Sequence, residues 1–259
     1  MALIEFRKVS KRFGRQVVLD AIDLNIEEGR SLVIIGASGS GKSVMLKHIV
    51  GLLRPDQGEV WFDGQRIDDL PERKLADIRV QFGFLFQMGA LFDSMNVEDN
   101  IAFPVVQHTN KSPEEISRIV DDKLRMVGLP ETKKKMPGEL SGGQRKRVAL
   151  ARAIALEPRV ILYDEPTTGL DPIRSDVINE LIIKLQRELK VTSIVVTHDM
   201  HSAFKIADRI VMLNGGKLIF DGTAEQIRQS QDSFVHHFVT GEATEEELAG
   251  LRDSGPGEK

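Results

Sequence analysis

The sequence lacks cysteine altogether, which excludes disulfide bonds, thiolate metal sites and cysteine nucleophiles. It also lacks a long apolar run. The longest stretch without a charged residue is 13 residues, Val80 to Phe92, whereas a membrane-spanning helix needs about 18 apolar residues. Neither sign of charge dominates, because 35 Lys and Arg face 39 Asp and Glu, and this balance argues against a general nucleic-acid binder. The first residues, MALIEFRKVS, contain no apolar signal segment, so we expect the chain to stay in the cytosol.

Charge and composition divide the chain into a main part and a tail. Its 259 residues predict one or two domains at about 150 residues each. The tail alone accounts for the net charge of −4, with six acidic residues against one Arg and one Lys between positions 241 and 259. We predict a main domain over residues 1–222 and a helical, acidic tail over 223–259 with a disordered end. Thr244 and Glu247 have the spacing of a capping box, although a solvated tail is the favoured interpretation.

The pattern of apolar segments predicts an α/β fold. Short runs rich in Val, Ile and Leu alternate with longer segments of helical periodicity, which is typical of a parallel sheet covered by helices. SLVIIG, VILYD and SIVVTHD are the clearest strand candidates, and VMLNGGKLIF has a hairpin signal. Helices are predicted at about 43–53, 113–128, 144–155 and 175–189. The helix-rich interval from about 92 to 156 is predicted to be a separate subdomain.

A phosphate-binding loop is indicated by GASGSGKS, residues 36–43, which matches G-x-x-x-x-G-K-[ST] between a predicted strand and a predicted helix. Its glycines allow backbone N–H groups to approach a polyphosphate closely. Lys42 would place a positive charge at the β and γ phosphates, and Ser43 would offer a hydroxyl to Mg²⁺. A flexible serine–glycine turn is the competing interpretation, and the flanking strand and helix argue against it. The predicted contacts within the loop are Gly36, Ala37, Ser38, Gly39, Ser40, Gly41, Lys42 and Ser43.

VILYDE, residues 160–165, is an apolar strand that ends in two acidic residues. The carboxyl end of a parallel strand is where the metal of a nucleotide is held, so Asp164 is a predicted Mg²⁺ ligand. Glu165, one residue further on, is the predicted general base for the attacking water. His198 ends a third strand and can place an imidazole near a γ-phosphate, although a lone histidine there is more often packed and hydrogen-bonded.

LSGGQ, residues 140–144, directly precedes a predicted helix and indicates a second anion site. The motifs run in the order phosphate-binding loop, Gln87, LSGGQ, VILYDE, the Gly169–Leu170–Asp171 turn and His198. In this order the sequence resembles the ATP-binding cassette (ABC) family, the nucleotide-binding subunits of ABC transporters, over residues 1–222. The resemblance implies an ABC-type P-loop fold: a RecA-like core with a mixed sheet, an antiparallel β subdomain and a helical subdomain.

The same resemblance implies an ATPase that works as a head-to-tail homodimer, with ATP and Mg²⁺ between the phosphate-binding loop of one chain and LSGGQ of the other. One chain carries one copy of each motif, so two complete sites require two chains. Phe13 would stack on adenine beside Val18, although a buried strand aromatic is the competing interpretation. Asp171 would signal between the two sites. The LSGGQ residues that would close over the opposite γ-phosphate are Ser141, Gly142 and Gly143, and Gln144 is also implied to bind the nucleotide. The residues implied to act in hydrolysis are Lys42, Gln87, Glu165 and His198, and the implied metal ligands are Ser43, Gln87 and Asp164.

Val44 departs from the family pattern, which usually has a second hydroxyl residue at this position. Its backbone N–H can still meet the α-phosphate, but the side-chain contact is absent. We expect somewhat weaker nucleotide binding, by about 0.5 to 1.5 kcal/mol for one lost hydrogen bond.

The segment FLFQMGALFDSMNVEDNIAFP, residues 84–104, indicates the kind of transporter, as do PTTGLDP and FVHHFVTGEA. These segments look like the ATPases of Mla-type (MlaF-like), MCE-linked lipid transporters. That resemblance implies a separate membrane permease (MlaE-like), an MCE-domain protein (MlaD-like) and a small STAS-domain protein (MlaB-like). It also implies phospholipid as the cargo, a place on the cytoplasmic face of a bacterial inner membrane, and no nucleic-acid partner.

Two other functions remain open from the sequence. The same ATPase could serve an importer of a small polar solute such as an amino acid, although the residues around Gln87 argue against it. DNA-repair and chromosome-maintenance ATPases share a phosphate-binding loop and an LSGG-type element but insert a long coiled coil. The roughly 100 residues between Gly36 and Ser141 leave no room for one. The basic stretch 133–152 is interpreted as a solvated face around LSGGQ rather than an RNA contact.

Overall fold

A computed structural model describes residues 2–242 of the chain. The N-terminal part forms an antiparallel sheet in the order β2-β1-β4-β5. Its strands are β1 (Ala2–Phe13), β2 (Gln16–Glu27), β4 (Gln57–Phe62) and β5 (Gln65–Arg66). Buried and exposed residues alternate along β2, where Ile22, Leu24 and Ile26 point into the core. This period of two is expected of a sheet with one face on the core and the other in water.

A second, mixed sheet in the order β10-β9-β3-β8-β7-β6 forms the centre of the molecule. Its strands are β3 (Ser31–Ile35), β6 (Phe82–Leu85), β7 (Val160–Asp164), β8 (Thr192–Val196), β9 (Arg209–Asn214) and β10 (Lys217–Gly222). All neighbouring pairs from β6 to β9 are parallel, and β10 returns antiparallel to β9. The predicted strands and the predicted hairpin are therefore confirmed.

The helices are α1 (Lys42–Ile49), α2 (Glu72–Arg79), α3 (Val97–His108), α4 (Pro113–Met126), α5 (Gly142–Ala153), α6 (Pro172–Leu189), α7 (Met200–Ile206), α8 (Ala224–Arg228) and α9 (Ser233–Thr240). The capping box predicted for α4 is confirmed, since Ser112 and Glu115 each bond the other's backbone N–H. Helix bounds differ from prediction by up to four residues, and α4 and α5 each end two residues early, at Met126 and Ala153. Helix α1 ends at Ile49 because the chain turns back there, and α5 and α6 start earlier because Ser141 and Asp171 are their N-caps.

The two faces of the central sheet belong to different apolar clusters. Along β3, Leu32 and Ile34 face the antiparallel sheet and α1, whereas Val33 and Ile35 face the cluster that includes α5, α6 and α7. Burial on both faces explains why Leu32 to Ile35 of β3 form a continuous apolar run.

Helices α3, α4 and α5 pack on one another within the interval that the sequence predicts to be helix-rich. The α/β fold class is confirmed, while the domain boundaries stay a prediction. The capping box expected at Thr244 and Glu247, and the disordered end, lie outside the described residues. Within residues 2–242, none of the helices has the length and apolar character needed to cross a membrane.

Candidate nucleotide-binding site

The carboxyl ends of three parallel strands bring the sequence motifs together. Strand β3 leads into the phosphate-binding loop, β7 ends at Asp164, and β8 ends two residues before His198. Because parallel strands end at the same edge of a sheet, these segments converge although they lie far apart in sequence. A hydrogen bond of 2.9 Å from the Glu165 N–H to the carbonyl oxygen of Val196 ties the β7 and β8 ends together directly.

The phosphate-binding loop presents free donors at the start of α1. Its N-cap residue, Gly41, makes no side-chain cap, so the first N–H groups of the helix remain available to an anion. The Lys42 ammonium lies inside the loop and donates to the carbonyl oxygens of Gly36 at 2.7 Å and Ala37 at 3.0 Å. Burial lowers the pKa of Lys42, and the charges of Glu165 and Asp164 act in the opposite direction. The hydroxyl of Ser40 is buried without a hydrogen-bond partner in the described part of the chain. The loop therefore has unused polar groups to offer a polyphosphate.

Two side-chain oxygen atoms that could bind a metal ion lie close together next to this loop. The Ser43 hydroxyl donates to Asp164 Oδ1 at 3.0 Å. The pKa of Asp164 is raised chiefly by burial and also by the nearby charge of Glu165, while the bond from Ser43 and the charge of Lys42 lower it. A cation beside this carboxylate would favour its ionised form. A hydroxyl and a carboxylate are ligands that Mg²⁺ prefers, so this pair fits magnesium.

Glu165 and His198 form a second pair. His198 Nδ1 lies 2.9 Å from Glu165 Oε2, and the hydroxyl of Thr168 donates to the same oxygen at 3.3 Å. The Glu165 side chain is only 13% exposed, whereas that of His198 is 61% exposed. The carboxylate is thus held from two sides while one partner faces solvent, an arrangement suited to accepting a proton from a bound water.

These groups surround a cleft of about 1000 Å³, at the upper end of the range for small-molecule sites. The predicted residues that line it are Phe13, Val18, Ala37, Ser38, Gly39, Gly41, Lys42, Ser43, Val44, Gln87, Asp164, Glu165 and His198. Phe13 is 48% exposed, so the competing interpretation of a buried strand aromatic is wrong. Val44 also packs against the apolar cluster around α1. Gly36 and Ser40 are not among the residues that line the cleft as it is described for residues 2–242.

The LSGGQ residues and Asp171 do not take part in this cleft, as far as residues 2–242 describe it. Ser141 and Gln144 instead form a capping box at the start of α5, with Gly142 and Gly143 in its first turn. Asp171 caps α6 by accepting from the Arg174 N–H at 3.0 Å. The structure therefore brings together one group of predicted site residues and leaves the other at two separate helix N-termini.

The cleft also has a wall that the sequence does not predict. Its residues come from the C-terminal helix α9 and the chain just after it, and they are Phe234, His237, Phe238, Gly241 and Glu242. The sequence of α9 predicts an amphipathic helix, but it does not predict that this helix lies beside the phosphate-binding loop.

A phosphate-binding loop between a buried parallel strand and a helix, facing an acidic strand end, defines a P-loop nucleotide-binding protein. The family model described as ABC transporter matches residues 19–168, and the chain belongs to this family. It is an ABC ATPase, with ATP and Mg²⁺ as its ligands.

The chain is 46% identical over 241 residues to the intermembrane phospholipid transport system ATP-binding protein MlaF of Haemophilus influenzae, covering 93% of this chain and 91% of that protein. It is 43% identical over 238 residues to the probable ribonucleotide transport ATP-binding protein mkl of Mycobacterium leprae, covering 92% and 69% respectively. Among solved structures, the dimeric post-hydrolysis state of the ATP-binding cassette MJ0796 bound to ADP and Pi matches with a TM-score of 0.78. That match has 36% identity and covers 85% of this chain and 98% of that one.

Proposed function

We propose that the chain is the ATP-hydrolysing subunit of a transporter that moves phospholipid between membranes. The observation that carries the chemistry is the Glu165 carboxylate, held 2.9 Å from His198 at the cleft that Lys42 and Asp164 also line. The cargo is supported by the likeness to MlaF of H. influenzae, which extends over 93% of this chain.

Six residues of the cleft have parts in the proposed reaction. Lys42 would neutralise charge on the β and γ phosphates, and Glu165 would accept a proton from the attacking water. His198 would orient the Glu165 carboxylate and reach the γ-phosphate from its exposed side. Magnesium, when bound, neutralises charge that develops on the phosphate oxygens. It would be held by Ser43, Gln87 and Asp164.

The complete site needs a second copy of the chain in this proposal. Within the described residues, Ser141 to Gln144 stand at the N-terminus of α5, apart from the cleft of their own chain. A helix N-terminus with two glycines in its first turn is suited to an anion, and the anion would be the γ-phosphate bound to the partner. A head-to-tail pair gives each cleft this missing half, and the solved cassette MJ0796 is dimeric.

An apolar surface on both sides of Gln87 supports a membrane permease as the next partner. Phe86, Met88 and Phe92 are exposed, Met88 to 85%. Exposed apolar side chains grouped in one segment are typical of an interaction surface. In this proposal ATP closes the dimer, hydrolysis opens it, and the movement is transmitted to the permease through this segment. The chain would then be peripheral on the cytoplasmic face of the inner membrane, together with an MCE-domain protein and a STAS-domain protein.

A second cargo class is favoured by one specific observation. The relative mkl of M. leprae, 43% identical to this chain, is named for probable ribonucleotide transport. A small polar solute is therefore the competing cargo for the same ATPase.

Glu165→Gln tests the chemistry, since it keeps the shape and removes the base. We expect hydrolysis to fall by about 10²- to 10⁴-fold, with ATP affinity retained and the dimer trapped with ATP in size-exclusion chromatography. Glu188→Gln is the matched control, because Glu188 is exposed on α6. Hydrolysis by Glu165→Gln at the parent rate would show that Glu165 is not the base.

The cargo is tested by purifying the tagged chain from its own membranes in mild detergent and analysing the co-purifying polypeptides and lipids by mass spectrometry. A permease with an MCE-domain protein and enriched phospholipid is the expected result. A permease with a soluble solute receptor and no enriched lipid would replace phospholipid with a polar solute.

A further inference from the structure

A buried lysine on the helix that follows LSGGQ contacts the chain just after the general base. Lys146 lies on α5, and only 6% of it is exposed. Its ammonium donates to the carbonyl oxygen of Pro166 at 2.7 Å and to that of Thr168 at 2.8 Å. The carbonyl oxygen of Glu165 is a third, longer partner at 3.4 Å. One ammonium therefore gathers three carbonyl groups of a single turn.

This environment differs from that of an ordinary structural lysine. A buried ammonium usually has a carboxylate partner, yet within residues 2–242 the partners of Lys146 Nζ are all backbone carbonyls. Burial lowers the pKa of Lys146 to about 8, and the charge of Glu165 acts in the opposite direction. An ammonium has three N–H donors, so the three carbonyls use all of them. Burying this charge is costly, and all of its donors bond one turn. We therefore infer that Lys146 serves to hold the geometry of that turn.

The turn that Lys146 holds is strained. Glu165 has a positive φ of +51°, a backbone conformation that residues other than glycine rarely adopt. Such a conformation persists where its surroundings enforce it. Here the Thr168 N–H donates to the Glu165 carbonyl oxygen at 3.3 Å, and the Thr168 hydroxyl donates to the Glu165 carboxylate at 3.3 Å. Thr168 thus connects Lys146 to the reacting carboxylate through two consecutive hydrogen bonds.

We propose that Lys146 is a positioning residue for hydrolysis: it clamps the 165–168 turn onto α5 and so fixes the Glu165 carboxylate against His198. The inference rests on the proposed function, in which Glu165 is the general base. Because α5 begins at the LSGGQ residues, the clamp also joins the base of one site to the helix that would serve the opposite site. Lys146 lies outside the lining of the cleft described for residues 2–242, so its effect should fall on turnover rather than on ATP binding.

The test compares Lys146→Met, which keeps the apolar stem as far as Cε and removes all donors, with Lys146→Gln, which is as long as methionine and keeps two N–H donors. Lys184→Met is the matched control, because Lys184 is an exposed lysine that also donates to a carbonyl, that of Met126 at 3.1 Å. The full chain is purified with its co-purifying membrane proteins, and kcat, KM for ATP, the ATP dissociation constant and Tm are measured.

We expect Lys146→Met to lower kcat by about 10- to 100-fold, the size of effect that a misplaced reacting group produces. KM and the ATP dissociation constant should stay within about twofold, since the phosphate contacts are untouched. Lys146→Gln should recover kcat to within about fivefold of the parent, and Lys184→Met should match the parent. If Lys146→Met does not fold, as judged by Tm, the glutamine variant carries the test: a fall in kcat of about two- to fivefold at an unchanged KM supports the proposal, and a kcat equal to that of the parent or a change in KM alone overturns it.

Three results would overturn the proposal: a folded Lys146→Met variant with the kcat of the parent, a loss confined to KM, or a glutamine variant no better than methionine. The parent separates the two levels of inference. If the unsubstituted protein does not hydrolyse ATP, both the proposed function and the role of Lys146 are rejected. If it hydrolyses ATP and substitution of Lys146 leaves kcat unchanged, only the role of Lys146 is rejected.

Discussion

Replacing Gly36 by alanine should destabilise the protein more than the same substitution at Gly39 in the phosphate-binding loop. Gly36 follows β3 and has a φ of +150°. A Cβ at this position would lie 2.2 Å from the carbonyl oxygen of Leu213 and 2.9 Å from Ser40 Oγ. Leu213 belongs to β9, which pairs with β3, so its carbonyl cannot retreat without disturbing the central sheet.

The expected magnitude has two parts. A residue with a side chain at this φ is strained by about 1–3 kcal/mol, and forcing a methyl group into a packed backbone adds about 1–3 kcal/mol. Gly36→Ala should therefore lower the free energy of unfolding by about 2–6 kcal/mol. Gly39→Ala is the matched control, since Gly39 also has a positive φ, +79°, but nothing lies within 4 Å of its added Cβ. Only the backbone strain remains there, about 1–2 kcal/mol.

Urea denaturation of both variants, followed by circular dichroism, measures the difference. In a domain of this size 1 kcal/mol corresponds to about 2–4 °C in Tm, so thermal scans should also separate the two variants. Equal losses of unfolding free energy in Gly36→Ala and Gly39→Ala would refute the reasoning, because contact with Leu213 would then not be what requires glycine at position 36.

Two further substitutions test the ligand contacts. Phe13→Ala should weaken ATP binding, measured by calorimetry, by the stacking contribution of about 1–3 kcal/mol. Tm should stay unchanged because the ring is 48% exposed. Unchanged ATP affinity would show that Phe13 does not stack on adenine. Ser43→Ala should abolish the gain in ATP affinity that Mg²⁺ provides while leaving binding in EDTA unaltered, since the Ser43 hydroxyl lies 3.0 Å from Asp164 Oδ1. An equal loss with and without the metal would instead assign Ser43 to the phosphates.

The features that the sequence predicts well are those encoded within a few residues. The capping box at Ser112 and Glu115 needs only a spacing of three, and it is present. The run from Leu32 to Ile35 is apolar throughout because both faces of β3 are buried, so composition alone identifies it as an inner strand. The phosphate-binding loop has the same character, since its pattern specifies its own backbone and the helix that follows.

The remaining features depend on contacts between distant segments. In the sequence, Lys146 is one of several basic residues after LSGGQ. Only the fold shows that it is buried against the 165–168 turn. Phe13 is the last residue of β1, beyond Val9, the final buried residue of the strand, so its exposure at the cleft depends on where the sheet ends. The wall formed by α9 joins residues near position 237 to a loop near position 40. No local spacing encodes a contact across 200 residues.

The division of the predicted site residues into two groups is itself informative about how the protein works. One chain places the proposed base, the proposed metal ligands and residues of its phosphate-binding loop in one cleft, while its LSGGQ residues cap a helix elsewhere. If the two groups were mechanically independent, the second chain would only complete the cleft. The proposed role of Lys146 would make them dependent, because Lys146 lies on the helix that starts at LSGGQ and donates hydrogen bonds to the turn that carries Glu165. When α5 is displaced by engaging a nucleotide on the partner, the 165–168 turn must move with it or lose three hydrogen bonds. Each chain would therefore align its own base as a consequence of closing over the ATP of the other chain.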